Sequence, residues 1–334
     1  MAEPTPDLFL DAVLGFQKTA ALKAALALDL FTAVAQESGD LDRVVGRTGA
    51  SARGIRMLCD YLTVQGFLTK NQGRYGLTPS TEVFLTTTSP AWMGSIVEFL
   101  ASPEMIALWL DDPVSYVRNG GAAGLGSIAP DHPVWVKFAR AMVPFMRPAA
   151  EAVAEAVQGW PTPPKRVLDV AAGHGLFGIT LAQAISGAQI MAIDWQAVLQ
   201  VAQENAEAAG VANRYRTIPG SAFEVDWGNG YDLVLLANFL HHFDQNTCVG
   251  LLDRARKSLG AGGRVLAVEF VPNEDRVSPP FPAMFAFMML GSTPSGDAYT
   301  AREFEEMGRA AGFERVRANP LLPSPQTLVT FEQG

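Results

Sequence analysis

One stretch of the chain runs Val167-Leu168-Asp169-Val170-Ala171-Ala172-Gly173-His174-Gly175-Leu176-Phe177-Gly178. An apolar run ends at an acid, small residues follow, and a helical pattern then opens. This order predicts a strand, a tight glycine turn and a helix start, which together offer backbone N–H groups to a ligand. An acid directly before the glycines would repel a diphosphate, so Asp169 favours a ligand with a cationic or ammonium-bearing end. An ordinary strand–loop–helix without a ligand is the alternative.

The composition limits the possible classes of protein. A chain of 334 residues with 49% hydrophobic and 18% charged residues predicts two globular domains with sizeable cores. The net charge of −9 argues against a nucleic-acid partner, which would need a basic face. The two cysteines, Cys59 and Cys248, have no ligand spacing, so we expect no metal site and a cytoplasmic location. We also expect no signal peptide, because the N-terminus is acidic and has no basic segment before an apolar core, and no membrane span, because no apolar stretch of about 18 residues lacks polar interruption.

The first hundred residues carry a winged-helix pattern. Helical periodicity covers Leu8–Val34, and a second helix, at Leu41–Val45, is followed by a turn at residues 46–49. Ser51 is placed to cap a third helix, and a glycine hairpin follows near residue 72. A DNA-binding role would need clustered basic residues on that third helix, where the arginines are scattered. We therefore expect residues 1–100 to form an all-α winged-helix dimerisation domain whose only strands are the small hairpin.

Residues 101–334 are predicted to form a helical linker and an α/β domain. The breaker cluster 159–164 precedes an alternation of strands and helices. Strands are expected at 167–170, 189–193, 214–218, 231–237, 264–270 and 328–330, and helices at 178–185, 196–209, 247–259 and 301–311. This alternation predicts a Rossmann-like, mostly parallel, doubly wound sheet with its ligand at the carboxyl ends of the strands.

Candidate functional residues follow five of these strands at their carboxyl ends. An acid such as Asp194 can accept hydrogen bonds from both hydroxyls of a ribose, and the adjacent Trp195 can cover an adenine. Because five strand ends meet at one edge, we expect a single binding crevice there. The residues concerned are Asp169, Gly173, Gly175, Asp194, Trp195, Ser221, Ala222, Phe223, Asn238, His241, His242 and Glu269.

The chain resembles the S-adenosylmethionine-dependent O-methyltransferases that dimerise through an N-terminal winged-helix domain. The resemblance extends from Leu28-Asp29-Leu30-Phe31 to Ala311-Gly312-Phe313. Its most specific part is Tyr231–Phe243, which is similar to the family strand ending in Leu-His-Asp-Trp. The resemblance implies a class I methyltransferase fold, S-adenosylmethionine as cofactor and a homodimer. It also implies that the glycine-loop residues, Asp194, Trp195, the segment 221–223 and Asn238 hold the cofactor.

The same resemblance implies that His241 is the catalytic base and Glu269 its partner. The chemistry supports these roles independently, because a hydroxyl at neutral pH is a weak nucleophile. A histidine in hydrogen-bond reach can remove its proton, which typically accelerates a reaction by ~10²–10⁴-fold, and a carboxylate can orient the imidazole. A buried histidine satisfied by the backbone is the alternative for His241, and a helix cap or a solvent-facing side chain is the alternative for His242.

Three departures from the family pattern affect this interpretation. Ala298 stands where the family often has a second glutamate beside the histidine, which weakens the case for phenol deprotonation. Ala171 and Ala172 replace two loop glycines, and Ser221 replaces an aspartate that binds adenine, which puts the adenine contact in doubt. These changes leave room for an acceptor that needs little base assistance, such as a thioether sulfur or an activated carbon.

Two methionine-rich segments are candidates for the acceptor pocket. Apolar side chains recur at four-residue spacing on one predicted helix, and a second apolar run covers Phe281–Met289. Such stripes are also typical of an ordinary core. The resemblance favours the pocket, and the candidate residues are Phe138, Met142, Met146, His242, Met288 and Met289.

The sequence therefore predicts a cytoplasmic, homodimeric methyltransferase that acts on a small, largely apolar acceptor, most readily at oxygen. An S- or C-methyltransferase that works by proximity and orientation is the alternative within the family. A non-catalytic S-adenosylmethionine-binding regulator that contacts DNA is a second class, which the acidic charge disfavours. A nicotinamide-dependent oxidoreductase is a third, which Asp169 disfavours.

Overall fold

A computed structural model describes residues 4–123 and 133–334 of the chain. These residues divide into two compact units, Met1–Ser102 and Pro103–Gly334. Among the described residues no single helix is long and apolar enough to cross a membrane. The helices Gly15–Ala27 and Leu30–Gln36, which are bent relative to each other, reach that length and apolar character only when taken together.

The first unit is a helical domain with one small hairpin. Its helices are α1 (Asp7–Val13), α2 (Gly15–Ala27), α3 (Leu30–Gln36), α4 (Leu41–Thr48), α5 (Ala52–Val64), α6 (Pro79–Leu85) and α7 (Ile96–Leu100), and its strands are β1 (Leu68–Asn71) and β2 (Arg74–Leu77). Helix α5 begins as expected, because Ser51 Oγ accepts the Gly54 N–H at 3.1 Å. The turn predicted at residues 46–49 is wrong, since α4 continues to Thr48 and ends only at Gly49, whose φ is +65°.

The core of this unit is apolar and nearly closed to solvent. Leu30, Phe31, Ile55 and Leu62 are each at most 1% exposed and belong to one cluster. The antiparallel pairing of β1 with β2 makes the wing, which is the exception to an all-α description.

The second unit is an α/β domain built on a seven-stranded sheet. Its helices are α8 (Pro103–Leu110), α9 (Pro113–Asn119), α10 (Pro133–Ala141), α11 (Val143–Gln158), α12 (Leu176–Ala184), α13 (Gln196–Ala208), α14 (Gln245–Ser258), α15 (Pro280–Ser292) and α16 (Ala301–Ala310). Its strands are β3 (Arg166–Val170), β4 (Gln189–Asp194), β5 (Tyr215–Pro219), β6 (Tyr231–Ala237), β7 (Leu259–Glu269), β8 (Arg315–Pro320) and β9 (Thr327–Glu332).

The strand order places the glycine loop at the switch point of the sheet. The order is β5-β4-β3-β6-β7-β9-β8, in which the first five strands are parallel and β9 pairs antiparallel with both β7 and β8. From β3 the chain first builds outward through β4 and β5 and then returns to place β6 on the other side. The carboxyl ends of β3, β4 and β6 therefore border one crevice, which is where such sheets bind ligands.

The central strands are buried because helices cover both faces of the sheet. In β6 the residues Leu233–Leu236 are fully buried, which explains the uninterrupted apolar run of the sequence. On one face, side chains of α14 and α16 such as Leu252 and Phe304 pack against this strand and its neighbours. Strand β8 was not predicted from the sequence, because it is a short edge strand in which four of six positions are exposed and only Val316 and Ala318 pack against the core.

Candidate active site

The glycine loop after β3 adopts left-handed backbone conformations at three positions. Ala171, Gly173 and Gly175 have φ angles of +55°, +57° and +73°. A Cβ atom on Gly175 would lie 2.5 Å from the Tyr215 hydroxyl and 2.9 Å from Ala202 Cβ, so only glycine fits there. Ala171 takes up a conformation that costs a residue with a Cβ roughly 1 kcal/mol.

Asp169 lies beneath this loop rather than in the open crevice. Its Oδ2 accepts the N–H of Gly178, in the first turn of α12, at 3.1 Å, and the residue is 1% exposed. Burial raises the pKa of this carboxyl to about 7, and the nearby Asp194 adds to that shift. In the structure the acid therefore caps a helix, and Gly178 is required because its Cβ would lie 2.9 Å from the carboxylate.

Asp194, the last residue of β4, connects the end of this strand to the glycine loop through a hydrogen bond. Its Oδ2 accepts the Gly173 N–H and its Oδ1 accepts the Trp195 N–H, each at 2.7 Å. Burial raises the pKa of this carboxyl to about 6. Within the described residues each oxygen accepts one hydrogen bond, which leaves lone pairs for a ligand. The Trp195 side chain packs beside Trp135 and Ala139 of α10.

His174, inside the glycine loop, is a buried neutral histidine. Its Nδ1 accepts the Leu176 N–H at 3.1 Å, so the ring proton lies on Nε2. Burial lowers the pKa of His174 to about 4. The ring stacks on Phe138 of α10 with centroids 6.4 Å apart and an angle of 12° between the planes. Phe138, a predicted acceptor contact, therefore covers the glycine loop, and a Cβ on Gly173 would come within 3.7 Å of its ring.

The loop after β5 is held by an arginine that the sequence analysis missed. Arg254 of α14 donates to the carbonyls of Ala222 at 2.9 Å and Phe223 at 2.8 Å, and also to the carbonyl of Val225. Ser221 Oγ accepts the Phe223 N–H at 3.2 Å, so this serine shapes the turn itself. The Phe223 ring is 49% exposed, which makes it available to a ligand.

His241 and Glu269 are in direct contact at the ends of β6 and β7. His241 Nδ1 lies 2.5 Å from Glu269 Oε2. Glu269 Oε1 accepts the N–H groups of Phe239 at 3.0 Å and Leu240 at 2.8 Å. A carboxylate only accepts hydrogen bonds, so a neutral imidazole in this contact carries its proton on Nδ1 and has Nε2 as its acceptor. The two side chains are 5% and 1% exposed.

The turn that carries His241 is fixed at further points. Cys248 Sγ donates to the Leu240 carbonyl at 3.2 Å, and the Tyr299 hydroxyl donates to the Phe243 carbonyl at 2.5 Å. Burial and the neighbouring His241 place the pKa of His242 well below its usual value, so His242 is neutral. Neither Cys248 nor Tyr299 was identified from the sequence, because both donate to backbone carbonyls, and bonds to the backbone leave no pattern of side-chain types.

An apolar wall of aromatic and methionine side chains faces His241. The Phe285 ring meets the imidazole edge-on, with centroids 4.9 Å apart. Ala298 is 1% exposed and packs into this wall, so an apolar contact occupies the position of the family's second glutamate. The wall consists of Phe270, Phe285, Met289 and Ala298, with Phe145, Ala286 and Met288 packed against them.

The other predicted acceptor residues lie on α11 and its start. Met142 and Met146 are 5% and 4% exposed, and Met146 Sδ lies 3.5 Å from Asn238 Nδ2. Asn238 has a φ of +54° and donates its N–H to the Val268 carbonyl at 2.8 Å. Within residues 4–123 and 133–334 no group of three or more acidic, histidine or cysteine side chains is arranged to hold a metal ion.

Comparison with known proteins gives a consistent family. Residues 108–314 match the model of the O-methyltransferase domain, and residues 10–87 match that of the O-methyltransferase dimerisation domain. A curated relative, 3-hydroxy-5-methyl-1-naphthoate 3-O-methyltransferase of Streptomyces sahachiroi, is 28% identical over 93% of this chain and 90% of its own length.

Solved structures agree with the family models. A provisionally assigned O-methyltransferase from Nostoc punctiforme is 44% identical, covers 99% of this chain and 100% of its own, and superposes with a TM-score of 0.94. PigF, solved with S-adenosylhomocysteine, is 25% identical over 99% of this chain and 100% of its own, with a TM-score of 0.85.

Proposed function

The chain belongs to the S-adenosylmethionine-dependent O-methyltransferases, and from that premise we propose that it methylates a hydroxyl oxygen of a small, largely apolar acceptor, with His241 as general base. The observation that carries the proposal is the contact between His241 Nδ1 and Glu269 Oε2 at the end of two adjacent strands. In the neutral imidazole that contact favours the proton on Nδ1, so the second ring nitrogen can accept a proton, as a base requires.

The residues at the switch point fit S-adenosylmethionine. The space next to Gly175 excludes a Cβ, and the Tyr215 hydroxyl beside it is buried with no hydrogen-bond partner in the described chain. Asp194 retains lone pairs that suit ribose hydroxyls, and the exposed ring of Phe223 suits an adenine. Gly173 and Gly175 would allow the close approach of the backbone, and Ser221, Ala222 and Trp195 would hold the nucleoside. The cofactor supplies an electrophilic methyl group on sulfur.

The roles of the protein residues follow from the reaction. A bond forms between the acceptor oxygen and the methyl carbon while the carbon–sulfur bond breaks. The hydroxyl proton moves to His241 Nε2, and Glu269 stabilises the resulting imidazolium through Nδ1. Glu269 also holds the turn through two backbone N–H groups, so the base is fixed before the acceptor arrives.

The acceptor wall favours a flat apolar molecule. Phe285 contacts the imidazole, and Met288 and Met289 belong to the same apolar wall. We place Phe138, Met142 and Met146 on the α10–α11 side of the acceptor, with His242 adjacent to the base. Neutral His242 can donate or accept a single hydrogen bond without placing a charge beside the acceptor. The naphthoate named for the Streptomyces relative is a molecule of this kind, which makes hydroxynaphthalenes suitable probes.

The test is His241→Ala in the full-length chain. Methyl transfer from labelled S-adenosylmethionine to 2-naphthol and 3-hydroxy-1-naphthoate should fall by ~10²–10⁴-fold. The affinity for S-adenosylhomocysteine, measured by calorimetry, should stay within about threefold of the original. Full turnover by the variant on both naphthols would remove His241 as the base.

Transfer to sulfur or carbon is the second candidate, because Ala298 leaves the imidazole with a single carboxylate. Comparing 2-naphthol with 2-naphthalenethiol separates the two chemistries, since a thiol ionises more readily and needs less base assistance. A variant lacking His241 that still methylates the thiol at the original rate, while the original enzyme ignores naphthols, would favour the alternative.

We also propose that residues 1–100 make the enzyme a homodimer, as their match to a dimerisation domain suggests. We place residues 101–334 in the catalytic domain and the enzyme in the cytoplasm. Sedimentation at several concentrations tests the dimer. Binding of a DNA duplex that weakens with salt would instead indicate the regulator hypothesis.

A further inference from the structure

A chain of hydrogen bonds links the residues just before β9 to the end of β6. Gln326 is 1% exposed, and its Nε2 donates to Asn238 Oδ1. Ser324 Oγ accepts the backbone N–H of Gln326 at 3.3 Å and lies 3.4 Å from Gln326 Oε1. Asn238 Nδ2 completes the chain toward Met146 Sδ at 3.5 Å. Asn238 lies 92 positions after Met146 and 88 positions before Gln326, so no local sequence pattern marks these hydrogen bonds.

The direction of these hydrogen bonds follows from counting donors. Ser324 Oγ already accepts the Gln326 N–H, so its own hydrogen is available for Gln326 Oε1. The amide nitrogen of Gln326 then faces Asn238 and must meet an oxygen. Asn238 Oδ1 is therefore turned inward, and its NH₂ group is turned toward Met146 and the predicted acceptor side.

The orientation makes Asn238 a hydrogen-bond donor. One N–H of its amide is directed at a thioether sulfur, a weak acceptor. The second N–H has no partner among the hydrogen bonds of the described residues, and Asn238 is half-buried at the edge where the strand ends converge. Its left-handed backbone, with φ of +54°, is held by the bond from its N–H to the Val268 carbonyl.

We propose that Gln326 is a positioning residue that fixes the Asn238 amide as a donor to an oxygen, most favourably a carboxylate oxygen, of a bound ligand. The inference rests on the proposed function, because that function supplies ligands at this edge. Two ligands offer such an oxygen: the methionyl carboxylate of the cofactor and a carboxylate on the methyl acceptor. An amide N–H donating to a carboxylate is a charge-assisted bond, and its loss typically weakens binding about tenfold or more.

The test uses two matched ligand pairs with the full-length protein. The first pair is S-adenosylhomocysteine and its decarboxylated analogue, in which a 3-aminopropylthio group replaces the amino-acid side chain. The second is 3-hydroxy-1-naphthoate and 2-naphthol, which share the ring system and differ by the carboxylate, titrated in the presence of S-adenosylhomocysteine. Calorimetry gives each Kd, and a thermal melt checks each variant.

Three variants separate orientation from packing. Gln326→Met keeps the length of the side chain and removes the amide, Ser324→Ala leaves Gln326 in place without its orienting hydroxyl, and Asn238→Asp replaces the donor by an acceptor. We expect Kd to rise about tenfold for Gln326→Met, by two- to threefold for Ser324→Ala and by more than tenfold for Asn238→Asp. The rise should be confined to the carboxylate-bearing member of one pair.

Each outcome is decisive. A selective loss in the first pair identifies the cofactor carboxylate as the partner, and one in the second pair identifies the acceptor. A side chain that only fills space would change both members equally, and Ser324→Ala would then change neither. Equal effects within both pairs, or none, would overturn the role of Gln326. An unmodified protein that binds neither S-adenosylhomocysteine nor its analogue would refute the proposed function instead.

Discussion

Replacing Glu269 by glutamine should inactivate the enzyme by reversing the protonation of His241. Glu269 Oε1 accepts two backbone N–H groups, at 3.0 and 2.8 Å, and Oε2 meets His241 Nδ1 at 2.5 Å. In Glu269→Gln the two fixed backbone donors require the amide oxygen, so the NH₂ group must face the imidazole. Nδ1 then becomes the acceptor and the ring proton moves to Nε2. The nitrogen assigned to remove the acceptor proton is thereby blocked.

The size of the effect can be separated from any loss of fold. We expect kcat to fall by ~10²–10⁴-fold, the range that general-base catalysis contributes, with the Kd of S-adenosylhomocysteine unchanged. Because Glu269→Gln keeps an acceptor for both backbone N–H groups, its free energy of unfolding should drop by about 1 kcal/mol or less. Glu269→Ala leaves two buried N–H groups unpaired and should lose roughly 2–6 kcal/mol, from 1–3 kcal/mol for each group.

The assay is single-turnover methyl transfer to 2-naphthol, paired with urea unfolding of both variants. Glutamine and alanine variants should be similarly inactive while differing clearly in stability. A Glu269→Gln enzyme that keeps kcat within about threefold of the original would refute the tautomer reasoning. A glutamine variant as unstable as the alanine variant would show that the amide oxygen does not replace the carboxylate toward the backbone.

Three further predictions concern stability and cofactor affinity, and they involve residues in or near the glycine loop. Ala171→Gly should raise the free energy of unfolding in urea by about 1 kcal/mol because φ is +55° there, whereas Ala172→Gly, outside the left-handed region, should lower it. Gly178→Ala should lower the free energy of unfolding in urea by about 1–3 kcal/mol, since its Cβ would lie 2.8 Å from Ile190 Cγ2. Gly250→Ala, which has open space around it in α14, should raise this free energy by up to about 1 kcal/mol. Changes of the same sign in the two variants would contradict the packing described. The affinity for S-adenosylhomocysteine should fall roughly tenfold per pH unit below about pH 6, because Asp194 protonates there and stops accepting hydrogen bonds from the ribose hydroxyls. Calorimetry from about pH 5 to 8 should show this fall in the original enzyme and not in Asp194→Asn.

The sequence predicted the sheet where burial is complete and predicted the edges less well. The bounds of β6, Tyr231–Ala237, match the prediction to the residue because both faces of that strand are covered. The start of α12 was placed two residues late, since Gly175 caps the helix through its backbone and carries no side-chain signal. Strand β8 alternates only at Val316 and Ala318, and two small apolar residues are too short a pattern to identify an edge strand from the sequence.

In the candidate site, too, some features could be predicted from the sequence and others could not. Strand order alone places four site residues at one edge of the sheet, namely Asp169, Asp194, His241 and Glu269. Their proximity could therefore be predicted from the sequence. The direction of each side chain could not, and the burial of Asp169 under α12 is the clearest case. Arg254 and Gln326 act through hydrogen bonds to residues about 30 and 88 positions away, and such pairs leave no pattern in a single sequence.

The position of β9 between β7 and the edge strand β8 gives the enzyme a local route to inactivation. Opening the β8–β9 hairpin would release the backbone partner of Glu269, Thr327, together with the adjacent Gln326, while β3–β6 kept their pairing. Edge segments with exposed side chains open at lower free energy than the core of a domain. We therefore expect the amide hydrogens of β8 and β9 to exchange with solvent before those of β6. We also expect mild denaturant to abolish turnover while strands β3–β6 remain folded.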